Sequence, residues 1–364
     1  MIHDVLLVGA RGYGAVHLQN LERLRDRIRL LAIVDPSGGP IEGYGSDIPS
    51  HADLPAALAS GIRPDVVVIA TPTGTHSRLA TQALDAGADV YLEKPPVASM
   101  AQFTQLLDAQ ARTGRAVQVG FQSFGSHALA EIAALGEVQS VAAWGAWRRD
   151  AAYWRRSPWA GRRTLDGAPV VDGVLTNALS HAVATALRIA GARRREDVER
   201  VDLDLYRAND IEADDTSAVR IALSDGRTLT AALTLAAAED QDPLIEVRTA
   251  TGTATLSYTR DELTIPDGTT VTTGRIDLFE ELLDHREDGT ALSSPLIESG
   301  AFMAVLEAVR TAPAPTPIAA SRLQVDAAGA VSVAGIAEAV ERTARAGALF
   351  GELDTPFLTD APHP

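Results

Sequence analysis

Residues 2–14 read IHDVLLVGARGYG, and this stretch decides the fold. It opens with a short apolar run of buried-strand type, turns through glycines at 9, 12 and 14, and leads into a helical pattern, AVHLQNLERLRDRI, at 15–28. A strand running through a glycine-rich turn into a helix is the opening of a dinucleotide-binding unit. The fingerprint of that turn places glycines at 9, 11 and 14. The first permits the tight turn, the second lets backbone approach a pyrophosphate, and the third lets helix pack on strand. Gly9 and Gly14 fit. Arg11 stands where the middle glycine belongs, with Gly12 one residue later to supply flexibility and Tyr13 beside it. Arg11 also has the reach to meet a phosphate.

Working outward, further apolar runs follow: IRLLAIVD at 28–35, PDVVVIATPT at 64–73, DVYLEK at 89–94 and AVQVGFQ at 116–122. Helical patterns from about Thr75 to Ala86 and from about Met100 to Thr113 separate the later ones. Continuous apolar strands alternating with helices specify a parallel sheet covered on both faces. Residues 1–122 are therefore predicted to be a Rossmann-type, doubly wound α/β domain. Asp35 closes the second strand, where an acid accepts hydrogen bonds from the adenosine ribose hydroxyls and repels a 2′-phosphate. The expected cofactor is NAD, in preference to NADP.

After Gln122 the texture changes. Residues 123–364 are predicted to form a second, α+β domain. From about 199 to 273, β-branched and polar residues alternate between turn signals, which reads as a meander in a large, open, mainly antiparallel sheet. Helices are expected at 276–287 and 298–310, and a C-terminal helix and tail over 319–364.

The chain has 364 residues, is 46% hydrophobic and carries a net charge of −16. That acidity argues against nucleic acid as a partner, because phosphate binding needs a positive face. No apolar run approaches the length of a membrane span, and the N-terminus lacks the basic flank of a signal peptide. With no cysteine, disulfides and thiolate metal sites are excluded, and the histidines show no metal-ligand spacing. A cytoplasmic protein with no membrane partner is the expectation.

Lys94, in DVYLEKPPVA at 89–98, is the only lysine beside 31 arginines. A general base must lose its proton near neutral pH, which an arginine does not do in proteins and a desolvated lysine can. Set against this, a lone lysine can be an ordinary surface cation in an arginine-biased chain.

Three stretches together resemble the Gfo/Idh/MocA family, the glucose-fructose oxidoreductase and inositol dehydrogenase group. They are ATPTGTHSRLATQALDAGADVYLEKP, AVQVGFQ and DGVLTNALSH. The resemblance implies a Rossmann domain joined to an open-sheet domain, and NAD(P)-dependent oxidation or reduction of sugars, polyols and their relatives. It also implies homodimers or homotetramers formed through the C-terminal sheet. It puts Thr71, Pro72 and His76 on the loop lining the nicotinamide ribose, Glu93 on the same ribose, Gln122 at the end of the nucleotide domain, and Lys94 on the catalytic lysine. His76 can alternatively serve its own helix as a cap.

The family's second motif is G-G-x-L-x-D-x-G-x-H. Aligned on His181, this chain keeps Gly173 and Leu175 but has Asp172 for a glycine, Asn177 for the aspartate and Leu179 for the second glycine. An amide cannot exchange protons as a carboxylate does. Asn177 is then expected to position a hydroxyl, with Lys94 carrying the proton and His181 relaying it. Asn177 and His181, one turn apart on an expected helix, share a face.

All four tryptophans lie in WGAWRRDAAYWRRSPW at 144–159. Trp154 and Trp159, with Arg162, Arg163 and Asp172, are candidates to bind substrate, since aromatic faces and forked donors suit a sugar bearing a carboxylate or phosphate. A subunit interface uses the same residue types. The functional expectation is an NAD-dependent sugar or polyol dehydrogenase. The competing readings are a redox-assisted hydrolase or lyase with tightly held NAD, and a non-catalytic NAD-binding regulator.

Overall fold

In the computed structural model, residues 1–37, 48–355 and 357 are described. The chain divides into two compact units, Met1–Phe121 with Asp277–Ile297, and Gln122–Ile276 with the chain from Glu298 on.

The first unit is built from β1 (His3–Val8), α1 (Gly14–Arg23), β2 (Ile28–Val34), β3 (Ser50–His51), α2 (Leu54–Ala59), β4 (Val66–Ile69), α3 (His76–Asp85), β5 (Asp89–Leu92), α4 (Met100–Thr113) and β6 (Val117–Val119). The strands are all parallel, in the order β3-β2-β1-β4-β5-β6. That is the doubly wound arrangement expected, with its switch point at β1. The ladder runs one residue past each strand. Gly9 N–H donates to Val34, Ala70 to Val8, Glu93 to Ile69 and Gly120 to Leu92, at 2.8–3.0 Å. Those bonds set Gly9, Ala70, Glu93 and Gly120 side by side at the carboxyl edge of the sheet.

The chain continues through α5 (Ala128–Ala134), β7 (Val138–Arg148), α6 (Ala151–Trp154), β8 (Thr164–Leu165), β9 (Ala168–Pro169), α7 (Ser180–Ile189), β10 (Val198–Arg207), β11 (Thr216–Leu223), β12 (Thr228–Thr234), β13 (Ala236–Thr249), β14 (Gly252–Ser257), β15 (Glu262–Thr264) and β16 (Thr270–Thr272). Next comes α8 (Leu278–Asp288), which returns to the first unit, so the second domain is not the continuous stretch 123–364. Leu278, Phe279, Leu282 and Leu283 of α8 are buried in one cluster with Val5, Leu7, Leu18 and Val66. Buried Glu281 accepts the Gln118 amide and both the N–H and hydroxyl of Ser293 at 2.6–2.7 Å, fixing this segment beside β6. An amphipathic helix reveals its buried face in sequence, but not which sheet it will cover.

The second unit is completed by α9 (Gly300–Thr311), β17 (Thr316–Pro317), β18 (Leu323–Val325), β19 (Val331–Val333) and α10 (Ile336–Ala346). Its nine-stranded sheet has the order β16-β15-β14-β13-β7-β12-β11-β10-β17. The pairing is antiparallel except for β7 with β12 and β10 with β17. The expected meander is thus split, because β7, formed well before it in the chain, inserts between β12 and β13. Along β7, Trp144 and Ala146 join a core cluster with Ile336, Ala339 and Val340 of α10. Gly145, pointing the other way, is approached by Pro243 and Leu179. The chain's own C-terminal helix therefore covers the middle of one sheet face. Among the described residues no helix is long and apolar enough to cross a membrane.

Candidate functional site

In the first unit the glycine loop packs back against its own strand end. Gly9 has φ +84°, and a Cβ there would lie 2.7 Å from the Ala70 carbonyl oxygen. A Cβ on Gly14 would lie 2.1 Å from the Gly9 carbonyl oxygen, so the start of α1 can pack here only as glycine. Gly12 has φ +58° and nothing within 4 Å of the same point. Arg11, Gly12 and Tyr13 are exposed, so the loop is open on that side.

Asp35 lies buried at the end of β2, and its carboxylate accepts the Ser37 N–H at 3.0 Å. The Arg11 guanidinium donates to the Ser37 hydroxyl at 2.7 Å and stands 3.5 Å from Asp35. Burial alone would raise the Asp35 pKa. The hydrogen bonds from Ser37 and the Ala10 N–H, with Arg11 nearby, hold it below its ordinary value. Arg11 thus braces the acid that follows β2. These features fit a dinucleotide: an open left-handed glycine, a tight helix start, and an ionised acid at the end of β2.

The Glu93–Lys94–Pro95 turn leaves β5, and its Lys94–Pro95 peptide is cis. Lys94 is half-buried. Glu93 is 6% exposed, with Oε1 2.8 Å from His17 Nε2 and Oε2 accepting the Lys94 N–H at 3.2 Å. His76 is 1% exposed, and its ring spans two loops. Nε2 faces the Thr71 carbonyl at 2.8 Å, and Nδ1 faces those of Pro95 and Pro96 at 3.0 and 3.2 Å. Burial holds its pKa below the ordinary histidine value, against the pull of those carbonyls and the Glu93 charge. Lying between these carbonyls, the ring packs the Thr71–Pro72 loop against the lysine turn. The Thr71 hydroxyl is engaged with that of Thr75 at 2.7 Å, and Pro72 is exposed.

In the second unit, Gln122 opens a short 3₁₀ turn, Gln122–Gly125. The expected single helix carrying Asn177 and His181 is interrupted. Val174–Ala178 forms a π-helical turn, and α7 begins at Ser180. The regular one-turn spacing therefore does not apply. The Asn177 amide donates to Asp172, which also pairs with Arg156 at 2.8 Å and accepts the Gly161 N–H at 2.7 Å. Burial raises the Asp172 pKa, opposed by Arg156, Asn177 and Gly161. The carboxylate proposed for substrate is thus engaged within its own domain. His181 Nδ1 lies 3.2 Å from the Ser123 hydroxyl, which accepts from Thr185 at 2.8 Å. The ring stacks on Tyr258, 6.1 Å between centroids.

The tryptophan–arginine segment is largely paired with itself. Arg156 lies over Tyr153 and Trp159, at 3.8 and 4.6 Å from the ring centroids. Trp154, Arg162 and Arg163 line an open depression of about 1090 Å³, with Arg155, Arg207 and Glu212 among its other residues. Trp159 and Asp172 are outside its lining. Arg162 pairs with Glu212 at 2.7 Å. Arg163 donates to the carbonyls of Val309, Arg310, Ala312 and Pro313 at 2.7–3.1 Å. Its guanidinium closes the C-terminal end of α9, a structural duty that the sequence reading assigned to substrate.

Sequence reasoning missed two supports. His17 falls three residues after Gly14 on the buried stripe of α1 with Leu18 and Leu21, and a histidine in such a stripe was the available signal. Asp214, fully buried, accepts from the Ser217 hydroxyl and the Leu175 N–H under the Asn177 segment. A Cβ on Gly173 would lie 2.0 Å from its carboxylate. No local signal marks that contact.

Residues 3–121 match the model of an oxidoreductase family with an NAD-binding Rossmann fold, GFO_IDH_MocA. The match covers about a third of the chain, within the first unit. Over 122 residues the chain is 33% identical to inositol 2-dehydrogenase of Streptomyces avermitilis, covering 32% of this chain and 35% of that protein. Over 119 residues it is 29% identical to scyllo-inositol 2-dehydrogenase (NAD(+)) of Bacillus subtilis, covering 32% and 34%. The matched stretch thus spans about a third of each of these curated relatives. The fold extends further. The WlbA dehydrogenase from Bordetella pertussis, solved with NADH and UDP-GlcNAcA, superposes with a TM-score of 0.71 at 20% identity, covering 85% of this chain and 95% of that one.

Proposed function

We propose that this protein is an NAD-dependent oxidoreductase that transfers a hydride between the nicotinamide and a carbinol or carbonyl carbon of a sugar, polyol or sugar derivative. The observation that carries the reading is the Glu93–Lys94–Pro95 turn, set at the same carboxyl edge of the parallel sheet as the glycine loop. Relatives matched over about a third of the chain are named inositol dehydrogenases.

Gly9, Gly12 and Gly14 would hold the pyrophosphate against backbone, and Asp35 the adenosine ribose. The ionised Asp35 favours NAD over NADP. When bound, the nicotinamide supplies a hydride acceptor or donor at its C4. Lys94 takes the hydroxyl proton during oxidation and returns it during reduction, which requires its amine to titrate closer to neutrality than a free lysine. Glu93 holds the nicotinamide ribose, and His76 fixes the lysine turn from the Pro95 side.

In the second unit, His181, held beside Ser123, relays a proton, and Asn177 orients a substrate hydroxyl. The face of Trp154 and the exposed Arg162 contribute a substrate wall, while Arg163 drops out of substrate binding. Self-association through the second sheet is proposed for the part away from β7, β11, β12 and β13, where α10 packs.

The test is a panel of sugars, uronates and inositols assayed with NAD and NADP for reduced-cofactor absorbance. Turnover on one substrate class with NAD preferred supports the reading. A silent panel with NAD tightly retained points instead to redox-assisted hydrolysis or elimination.

A further inference from the structure

We infer that His17 is a positioning residue for the lysine turn, acting through the buried Glu93 carboxylate. Three constraints converge on that carboxylate. His17 Nε2 meets Oε1 at 2.8 Å, with His17 7% and Glu93 6% exposed. The Lys94 N–H donates to Oε2 at 3.2 Å. Gly120 lies so close that a Cβ would stand 2.9 Å from Oε1. The His17 ring is itself clamped, edge-on to Tyr13 at 5.5 Å and to Tyr91 at 5.4 Å. Tyr13 belongs to the glycine loop and Tyr91 to β5, so His17 joins the loop expected to hold the pyrophosphate to the strand that presents Lys94.

The physical logic is the cost of removing a donor from a buried acceptor. Without His17, Oε1 loses the 2.8 Å bond that fixes it, and the buried carboxylate must reorient. That change alters the bond to the Lys94 backbone and the position of the charge beside its amine. The titratable groups around Glu93 are His17 from α1, His76 from α3 and Lys94 itself. The consequence for turnover rests on Lys94 being the acid/base proposed above. The structural coupling does not.

Because Lys94 is the only lysine, protein grown with ¹³C-lysine gives a single Cε resonance, a direct reporter of the turn. His17→Leu is expected to displace that resonance, and to lower turnover about tenfold or more. His17→Gln, whose amide can still donate to Glu93, should restore both. In a Glu93→Gln background, His17→Leu should add no further displacement, because its effect passes through that carboxylate. An undiminished effect of His17→Leu in that background overturns the inference. So does a folded His17→Gln whose resonance is displaced, a result that decides the matter even if His17→Leu fails to fold. Failure of Lys94 as a catalyst would show separately, as turnover retained in Lys94→Arg with the resonance coupling intact.

Discussion

The side-chain amide of Asn177 donates to the carboxylate of Asp172. Asp172 is already held by Arg156 and the Gly161 N–H, so the asparagine completes a buried, saturated acceptor. An aspartate at 177 would set two carboxylates against each other, and like charges at that range cannot both ionise easily. Asn177→Asp is therefore expected to be less stable than wild type at pH 8 and to recover towards pH 5, with no gain in turnover. Thermal melts across that range check it; a faster enzyme would show that the amide is not the positioning group proposed.

Arg163 is expected to matter for stability and not for substrate. Arg163→Met keeps the apolar stem but removes the cation from four carbonyls at the end of α9. A loss of about 1.5–3 kcal/mol is expected from hydrogen bonds to a charged donor, read by chemical denaturation, with KM for substrate unchanged. A raised KM at unchanged stability would return Arg163 to the substrate wall.

The two exposed and buried glycines of the loop should separate cleanly. Gly14→Ala places a methyl 2.1 Å from the Gly9 carbonyl oxygen and should abolish NAD binding. Gly12→Ala meets no protein atom within 4 Å and should fold at a cost of about 1–2 kcal/mol for a left-handed backbone, with NAD bound more weakly because its methyl stands on the open side proposed for the pyrophosphate. Calorimetric titration with NAD distinguishes them.

Burial pushes the Asp214 carboxyl above its ordinary pKa, against the hydrogen bonds from Ser217 and the Leu175 N–H. The folded chain then holds a proton that the unfolded chain has already lost, so this group's contribution to stability falls as pH rises from about 4. Asn at 214 has no proton to lose. The melting temperature of Asp214→Asn minus that of wild type should accordingly grow between pH 4 and pH 8; a constant difference would contradict the assignment.

What was legible in the sequence is what short-range pattern controls. The β1–loop–α1 opening, Asp35 and the Lys94 turn each declare themselves within a dozen residues, because turn geometry and strand alternation are local. Contacts between distant segments were not legible. Nothing near α8 says that it covers the first sheet, and nothing near β7 says that it enters between β12 and β13. Arg163 looks like a ligand-binding arginine until the end of α9, far along the chain, is found at its guanidinium. The π-helical turn before α7 left no sequence signature, and it removed the regular spacing inferred for Asn177 and His181. His17 was the exception: its place on the buried stripe of α1 was readable, but its partner was not.

The central claim, that Lys94 carries the proton, is tested most directly by Lys94→Arg. Arginine preserves the charge and, at the end of β5, leaves the loop proposed to bind NAD untouched, but it cannot give up its proton near neutral pH. The measurement is NAD affinity together with turnover at pH 7 on the best substrate of the panel. Affinity close to wild type with turnover lowered about a hundredfold or more is the predicted result. Turnover near that of wild type would contradict it.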